Sequence, residues 1–272
     1  MKGKILIYLM AVSVAFAGLF FSPAMAEKLE IKGSTTVLPV SQQAVEKFMD
    51  AYPDVQISVS GGGSGNGIKA IIDGTTDIAM ASRFIKQEEV ARAVENGTYP
   101  VPFAVALDCI VPVVHPSNPV KDLSLAQLKN IYQGKIKNWS EVGGEDRRIV
   151  VVSRDTSSGT YEVWEEKVLE GGRVFPGAML QASNGAVVQA VSNNKNAVGY
   201  IGLSYINKDV KPTTVNGVEA SLDTAAAFPV SRSLFMFTRG WPQGVTLKFM
   251  NYMQHPDKGQ KIVADVGYVP LY

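Results

Sequence analysis

The sequence has few of the residues on which metal sites and disulfides depend. It contains one cysteine, Cys109, and two histidines, His115 and His255. A single cysteine excludes an intramolecular disulfide, and its apolar surroundings (ALDCIVPVV) favour a buried, unreactive thiol. Structural zinc needs about four clustered nitrogen or sulfur ligands, which these dispersed residues cannot supply. We therefore expect neither a metal nor a cofactor.

An excess of charge of one sign is also missing. The chain has 26 lysines and arginines against 25 aspartates and glutamates, for a net charge of +1. Binding to nucleic acids requires a strongly basic surface, so we expect no nucleic-acid partner. A nucleophile elbow of the G-x-S-x-G type and an H-E-x-x-H motif do not occur either.

The N-terminus has the pattern of a secretory signal peptide. Two lysines precede an apolar run from Ile5 to Phe21, and the small-residue triplet Ala-Met-Ala ends at Ala26. The alternative is a membrane anchor, but this run is shorter than the roughly 20 residues that a spanning helix needs. We predict that residues 1–26 are cleaved and that the mature protein, beginning at Glu27, is a soluble periplasmic monomer.

Strand and helix patterns alternate along the rest of the chain, which indicates an α/β fold with a largely parallel sheet. Two long apolar segments, VALDCIVPVVHP and FPVSRSLFMFT, are suited to cross between two lobes. We predict that residues 27–105 and 225–272 form lobe 1 and that residues 106–224 form lobe 2. The chain after Pro242 has the pattern of two helices.

Residues 60–67, SGGGSGNG, lie between a predicted strand and a predicted helix. They match neither the G-x-G-x-x-G dinucleotide motif nor the Walker motif, whose lysine position holds Ile68. A helix start offers unpaired N–H groups and the positive end of the helix dipole, so a glycine-rich turn there can bind an anion. Structural capping alone explains one such turn equally well.

Two further turns make the binding interpretation stronger. GSTT (residues 33–36) and RDTSSGT (residues 154–160) also connect a strand to a helix, and the second includes an arginine. Ligands of open α/β sheets bind outside the carboxyl ends of the strands, where these turns lie. If the lobes face one another, three helix starts could converge on one small anion.

Five segments, taken in order and spacing, resemble the periplasmic phosphate-binding proteins of ABC-type importers over essentially the whole mature chain. They are GSTTVLPV, SGGGSGNGIKAIIDGTTDIAMASR, IYQGKIKNW, SRDTSSGT and AVGYIG. The resemblance implies a type II binding-protein fold, with two α/β lobes, a mostly parallel sheet in each lobe and a ligand cleft between them. It also implies high-affinity phosphate binding, no catalysis, and the permease and ATPase subunits of an importer as partners.

The resemblance further implies which residues bind phosphate: Ser34, Thr35, Ser64, Arg154, Ser158, Gly159 and Thr160. Many family members have an aspartate that accepts the phosphate proton where this chain has Arg83. Arg83 is either a second cationic ligand or an ion-paired residue at the lobe edge, and Asp155 or Thr156 could provide the missing acceptor.

Two other functions remain open from the sequence. The protein could bind sulfate or another tetrahedral oxyanion. It could also be a secreted phosphatase that uses Ser64 or Ser158 beside Arg154, although phosphoryl transfer usually recruits metal ions and no convincing carboxylate cluster is present.

Overall fold

Strands and helices alternate along the chain, as the hydrophobic pattern predicts. A computed structural model describes residues 26–272, so the predicted signal peptide lies outside the described residues except for Ala26. The strands are β1 (Glu27–Gly33), β2 (Val55–Ser60), β3 (Ile78–Ala81), β4 (Pro100–Val114), β5 (Asp122–Leu123), β6 (Val150–Arg154), β7 (Met179–Gln181), β8 (Ala197–Gly202), β9 (Lys211–Pro212), β10 (Thr214–Val215) and β11 (Ser231–Arg239). The helices are α1 (Leu38–Ala51), α2 (Ser64–Ile72), α3 (Gln87–Glu95), α4 (Leu125–Tyr132), α5 (Gly159–Lys167), α6 (Asn184–Ser192), α7 (Gly244–Gln254) and α8 (Lys261–Val266).

Local sequence signals account for several of these boundaries. Pro39 occupies the first turn of α1, where its missing N–H costs nothing, and the helix ends just before Pro53. Ser124 caps α4, because its hydroxyl accepts a hydrogen bond from the Gln127 N–H at 3.1 Å. The two predicted C-terminal helices are confirmed as α7 and α8, which a π-helical turn over Pro256–Gln260 connects.

Helix α2 begins earlier than the sequence suggests. The apolar pattern places its start near Ile68, but the helix begins at Ser64, so half of the glycine-rich segment is its first turn. The reason is close packing: a Cβ atom on Gly67 would lie 2.6 Å from the Cα atom of Gly33 at the end of β1. Glycine disfavours helix in isolation but allows this contact.

The crossing strands β4 and β11 form the centre of one long sheet. Its strand order is β2-β1-β3-β11-β4-β8-β6-β7, and β9 pairs with the end of β4 on the edge opposite β8. Strands β4 and β11 are antiparallel to each other from Cys109 and Ser231 to Pro100 and Arg239, with one register shift between Leu234 and Phe235. One set of strands therefore lies on each side of a two-stranded crossing.

The expectation of mostly parallel sheets needs correction, because the sheet is mixed. Within this long sheet, parallel pairing is confined to β2-β1-β3 on one side and to β8-β6-β7 on the other; β5 and β10 pair parallel in a separate two-stranded sheet. The crossing strands run antiparallel to β3 and to β8. Strand β4 leaves the first half and β11 returns to it, so the two run in opposite directions and cannot both be parallel to the same neighbours. The crossings therefore make the sheet mixed.

Separate hydrophobic clusters lie on the two sides of the crossing. The first includes α1, β1, α7 and α8, together with Val105 and Leu234 of the crossing strands. The second includes α4, α5 and β8, together with Cys109 and Val230. Cys109 is fully buried, as its apolar surroundings predict. Among residues 26–272, no helix is both long and apolar enough to cross a membrane.

Candidate anion-binding site

The first predicted turn links β1 to α1 and is almost completely enclosed. Ser34, Thr35 and Thr36 are all buried. The Ser34 hydroxyl oxygen accepts hydrogen bonds from the backbone N–H groups of Thr36 at 3.1 Å and Val37 at 3.4 Å. The Ser34 side chain therefore satisfies the start of α1 and holds the turn in a fixed shape.

Two tyrosines from distant parts of the chain donate hydrogen bonds to carbonyl oxygens of this turn. Tyr205 donates its hydroxyl to the Thr35 carbonyl at 2.6 Å, and Tyr268 donates to the Thr36 carbonyl at 2.7 Å. Burial raises the pKa of Tyr205 to about 12 and that of Tyr268 well above its ordinary value. Both phenols therefore stay protonated and remain donors at neutral pH.

The glycine loop lies directly against the loop that precedes α5. Gly62 and Gly63 adopt φ values of +137° and +101°, a backbone conformation that other residues rarely adopt. The Gly65 N–H donates to the Ser157 carbonyl at 2.9 Å, and a Cβ atom on Gly63 would lie 2.6 Å from the same oxygen. Glycine is thus needed for close approach of two loops, and Ser64 is fully buried beneath them.

The start of α5 completes the contact. Ser158 caps the helix by accepting the Tyr161 N–H at 3.3 Å. A Cβ atom on Gly159 would lie 2.4 Å from the Ser64 hydroxyl oxygen, which itself accepts the Ser82 N–H at 3.0 Å. The first turns of α2 and α5 therefore meet, and Ser64, Ser158, Gly159 and Thr160 lie together as the sequence predicts.

Arg154 ends β6 and enters this group with an incomplete set of partners. Its side chain is 1% exposed. Nε donates to the Gln181 carbonyl at 3.0 Å, and Nη2 donates to the Ala182 carbonyl at 3.0 Å and to the Thr35 hydroxyl at 3.4 Å. Within residues 26–272, Nη1 has no hydrogen-bond partner and no carboxylate pairs with the guanidinium. Burial lowers the pKa of Arg154, as expected of a cation without a counter-ion.

Asn184 also belongs to the site, although the sequence reading missed it. It is the first residue of α6 and is fully buried. Its Nδ2 donates to the hydroxyl oxygens of Thr35 at 3.3 Å and Thr36 at 3.0 Å. The preceding strand β7 has only three residues, two of which are exposed, so it leaves no clear hydrophobic pattern. The Ser-Asn-Gly segment at residues 183–185, which is typical of a helix start, could have indicated this part of the site.

A second missed feature is a buried ion pair between the crossing strands. Arg232 of β11 donates to one carboxylate oxygen of Asp108 of β4 through Nε at 2.9 Å and Nη2 at 2.7 Å. Arg232 also donates to the hydroxyls of Thr160 at 3.0 Å and Thr36 at 3.3 Å. Burial raises the pKa of Asp108, and the Arg232 charge opposes that increase. The sequence could have indicated this pair, because Asp108 and Arg232 each lie within a long apolar strand.

This arrangement can bind a small anion without a large basic surface. The starts of α1, α2, α5 and α6 meet at one place, and each start supplies N–H groups that have no acceptor within its own helix. Hydroxyl donors and the unsatisfied nitrogen of Arg154 lie among them. Donors from several directions suit a compact oxyanion with several equivalent oxygens.

Known proteins share this sequence and this fold. Residues 22–257 match the model of the PBP superfamily domain. The phosphate-binding protein PstS of Bacillus subtilis is 34% identical over 89% of this chain and 80% of its own length. The chain belongs to the PstS-like family of phosphate-binding proteins.

Solved structures of family members agree with the sequence relation. A structure from Clostridium perfringens, described as a phosphate ABC transporter substrate-binding protein with bound phosphate, has a TM-score of 0.84 and 35% identity; the match covers 90% of this chain and 100% of that one. An ABC-type phosphate transport receptor from Vibrio cholerae has a TM-score of 0.73 and 30% identity over 89% of this chain and 99% of that one. The type II binding-protein fold implied by the sequence is consistent with both.

Arg83, where family resemblance leads us to expect an aspartate, is paired with two carboxylates. Its Nη1 and Nη2 donate to the two carboxylate oxygens of Glu89 at 2.8 and 2.7 Å, and Nη1 also donates to the Phe84 carbonyl at 2.9 Å. Its Nε lies 2.9 Å from a carboxylate oxygen of Glu162. This geometry favours the ion-paired alternative over the role of second ligand.

Asp155 is similarly occupied. Its Oδ1 accepts the Ser157 N–H at 2.9 Å and also the Ser157 hydroxyl. The carboxylate therefore stabilises the turn that presents Ser158 and Gly159. Its proposed role as the acceptor of a phosphate proton would depend on Oδ2 and stays a prediction.

Proposed function

We propose that this protein binds inorganic phosphate with high affinity and delivers it to the permease and ATPase subunits of an ABC-type importer. The observation that carries the proposal is Arg154, a fully buried arginine that has one free nitrogen and no paired carboxylate within residues 26–272. An uncompensated buried charge is costly, so a missing anionic partner is the simplest account of it. The named function of the relatives identifies that partner as phosphate.

The predicted ligand residues fit this anion. Thr35 and Thr160 bring hydroxyls, and Ser64 and Gly159 bring backbone N–H groups at the starts of α2 and α5. Ser158 caps α5, and Ser34 fixes the N–H groups of Thr36 and Val37 in the turn before α1. We assign Arg83 to the contact between the halves and not to the ligand shell.

We infer that the two halves act as lobes and that phosphate binds between them. Contacts that cross the interface support this, including Gly65 with the Ser157 carbonyl and Thr36 with Thr160 at 2.9 Å. The membership of the hydrophobic clusters favours a first crossing between Val105 and Cys109, close to the predicted boundary at residue 105. The same membership favours a return crossing after Val230, later than residue 225.

Binding is favoured over catalysis for a geometric reason. Phosphatase chemistry at Ser64 or Ser158 would need a base that hydrogen-bonds the hydroxyl. Among the described residues, the hydroxyl partners are Ser82 for Ser64 and the Tyr161 N–H for Ser158, and none of them is a base. The relatives are named as phosphate-binding proteins, which also supports binding over catalysis. We also propose that it works outside the cytoplasm as a monomer, after cleavage of residues 1–26.

Titration calorimetry tests the function directly. Protein unfolded, dialysed and refolded to remove bound anion is titrated with phosphate and, separately, with sulfate. We expect tight phosphate binding at one site per chain and much weaker sulfate binding. Equal affinity for sulfate would contradict the assignment, and turnover of a chromogenic phosphate ester with Mg²⁺ or Zn²⁺ would favour the enzyme alternative.

A further inference from the structure

A crevice of about 620 Å³ lies alongside β11 and α5. Phe84 and Lys86, which follow β3 in the first half of the molecule, line one part of it. Val163 of α5 in the second half and Phe235 of the crossing strand β11 line other parts. Among the described residues that line the crevice, none is one that we assign to phosphate. Because its walls come from different halves, the crevice has this shape only when the halves meet.

Phe84 is an exposed aromatic residue whose orientation is fixed. The residue is 55% exposed. Its ring makes edge-to-face contacts with Phe235 and Phe237, at centroid distances of 5.3 and 5.9 Å, and its carbonyl accepts Nη1 of Arg83 at 2.9 Å. An ordered ring loses little entropy when a partner covers it, and the apolar area removed from water then favours binding. Exposed aromatic residues with these properties are typical of the energetic centres of protein interfaces.

The lining of the crevice also contains negative charge without an internal counter-ion. Glu165 and Glu166 of α5 have no ion pair within residues 26–272, and Glu165 accepts the Tyr161 hydroxyl at 3.0 Å. The cations that line the crevice already have partners in the fold: Arg83, Lys86, Lys167 and Arg232. A basic group from a partner would therefore find two glutamates that are free to pair with it.

We propose that this crevice is a docking site for the permease subunit of the importer, and that it receives an extracytoplasmic permease segment with a large apolar side chain beside a lysine or arginine. The inference rests on the proposed binding and delivery of phosphate. The apolar side chain packs against Phe84, Phe235 and Val163, and the basic group pairs with Glu165 or Glu166. The chemistry of the lining thus matches both parts of the segment.

A site with walls from both halves suits this partner in particular. Delivery requires the membrane subunits to respond to the phosphate-bound protein, in which the halves are together. A segment in the crevice contacts both halves at once, so its affinity depends on their arrangement. The bridges from Glu162 of α5 to Arg83 and Lys86, at 2.9 and 2.5 Å, connect the same two walls and keep them in place.

ATP hydrolysis by the reconstituted importer tests the docking site. The permease and ATPase subunits in nanodiscs are titrated with phosphate-saturated binding protein, and the concentration that gives half-maximal stimulation is measured. Phe84→Ala should raise this concentration about tenfold, as truncation of an aromatic interface centre does. The double variant Glu165→Gln/Glu166→Gln should raise it about fivefold at low salt and less than twofold at high salt, because salt screens exposed charges.

Matched substitutions outside the crevice provide the controls. Tyr99→Ala removes an aromatic ring from a residue that is 62% exposed. Glu46→Gln/Asp50→Asn removes two exposed charges from α1. Both control variants should stimulate hydrolysis at the wild-type concentration. All four variants should bind phosphate within about twofold of wild type in calorimetry, since none of them changes a residue that we assign to the ligand.

The outcomes separate the inference from the proposed function. A wild-type protein that binds no phosphate, or that binds it without stimulating the importer, would overturn the proposed function. Stimulation by both crevice variants at the wild-type concentration would overturn the inference and leave the function standing. So would a wild-type dimer that Phe84→Ala converts to a monomer in light scattering, because a second copy of this chain would then occupy the crevice. Should Phe84→Ala fail to fold, the double glutamine variant still decides, because Glu165 is half-buried and Glu166 is exposed.

Discussion

Arg83 and Arg154 are both buried arginines near the interface of the two halves, yet their surroundings are opposite. Arg83 pairs with Glu89 through two parallel hydrogen bonds and contacts Glu162 through Nε. Arg154 contacts carbonyl and hydroxyl oxygens, and its Nη1 has no partner among the described residues. The pKa values follow this contrast: burial lowers both, but the two carboxylates more than compensate at Arg83 and raise its pKa.

The difference shows that burial alone does not mark a ligand-binding cation. What marks it is hydrogen-bonding capacity that the protein leaves unused. Arg83 has its charge neutralised within the fold, so an anion would have to displace a carboxylate to reach it. Arg154 keeps one nitrogen unused among the described residues, and under the proposed function an anion completes its hydrogen bonding.

The largest expected effect is on stability, at Arg83. Arg83→Ala leaves Glu89 and Glu162 without their buried partner, and breaking such a pair costs about 3–5 kcal/mol. Urea unfolding of ligand-free protein measures it. Arg147→Ala is the matched control, because its pair with Glu145 is half-exposed and should change stability by less than about 1 kcal/mol.

The same pair should make stability sensitive to acid. Burial would raise the pKa of Glu89, but hydrogen bonds from Arg83 and the Lys86 N–H outweigh it and lower the pKa. A lowered carboxylate pKa contributes stability at neutral pH that is lost as the pH falls below the ordinary value for glutamate. The deficit of Arg83→Ala should shrink over that acidic range; a constant deficit would contradict the assigned ion pair.

Arg154→Ala should mainly weaken phosphate binding, whereas Arg83→Ala should mainly lower stability. Loss of one partner of a desolvated charge pair costs about 2–5 kcal/mol, which weakens phosphate binding by tens to thousands of fold. Because no carboxylate is left unpaired, ligand-free stability should fall far less than in Arg83→Ala. Calorimetry and urea unfolding of both variants, side by side, test the comparison; unchanged phosphate affinity would remove Arg154 from the site.

A smaller effect is expected at the contact between the halves. Glu162 of α5 bridges Arg83 at 2.9 Å and Lys86 at 2.5 Å, and its side chain is only 14% exposed. Glu162→Gln should weaken phosphate binding by about fivefold, near 1 kcal/mol, because these bridges form between the halves. Glu166→Gln removes the same charge from an exposed position on α5 and should have little effect. In high salt the two variants should converge.

The smallest effect is predicted for Asp155→Asn. Asparagine keeps the Oδ1 atom that accepts the Ser157 N–H, so the turn before α5 should survive. We expect phosphate affinity and discrimination against sulfate within about threefold of wild type, as for a substitution that preserves a local hydrogen bond. Competition titrations measure both, and a large loss of sulfate rejection would instead identify Asp155 as the acceptor of the phosphate proton.

Much of this site could be located from the sequence because its turns are local. Each of the three turns, GSTT, SGGGSGNG and RDTSSGT, follows a strand and contains the residue types that favour a helix start. This local preference does not depend on the tertiary surroundings. The partners of Arg83 could not be assigned, since Glu89 and Glu162 reach it from a different helix each. Asn184 and Arg232 were missed because the first follows a short exposed strand and the second depends on the register of β4 with β11.

The tyrosine contacts to the first turn have a consequence for how an anion site must be built. Every peptide group that offers an N–H also has an oxygen, and a carbonyl that turned toward the ligand would repel it. Tyr205 and Tyr268 donate hydrogen bonds to the carbonyl oxygens of Thr35 and Thr36. The negative ends of these peptide dipoles therefore have partners within the protein. A phenylalanine in either place would fill the same space, but the carbonyl would lose its hydrogen bond and could rotate. Under the proposed function, recognition of the anion therefore also depends on two tyrosines that keep these carbonyl oxygens bound within the protein.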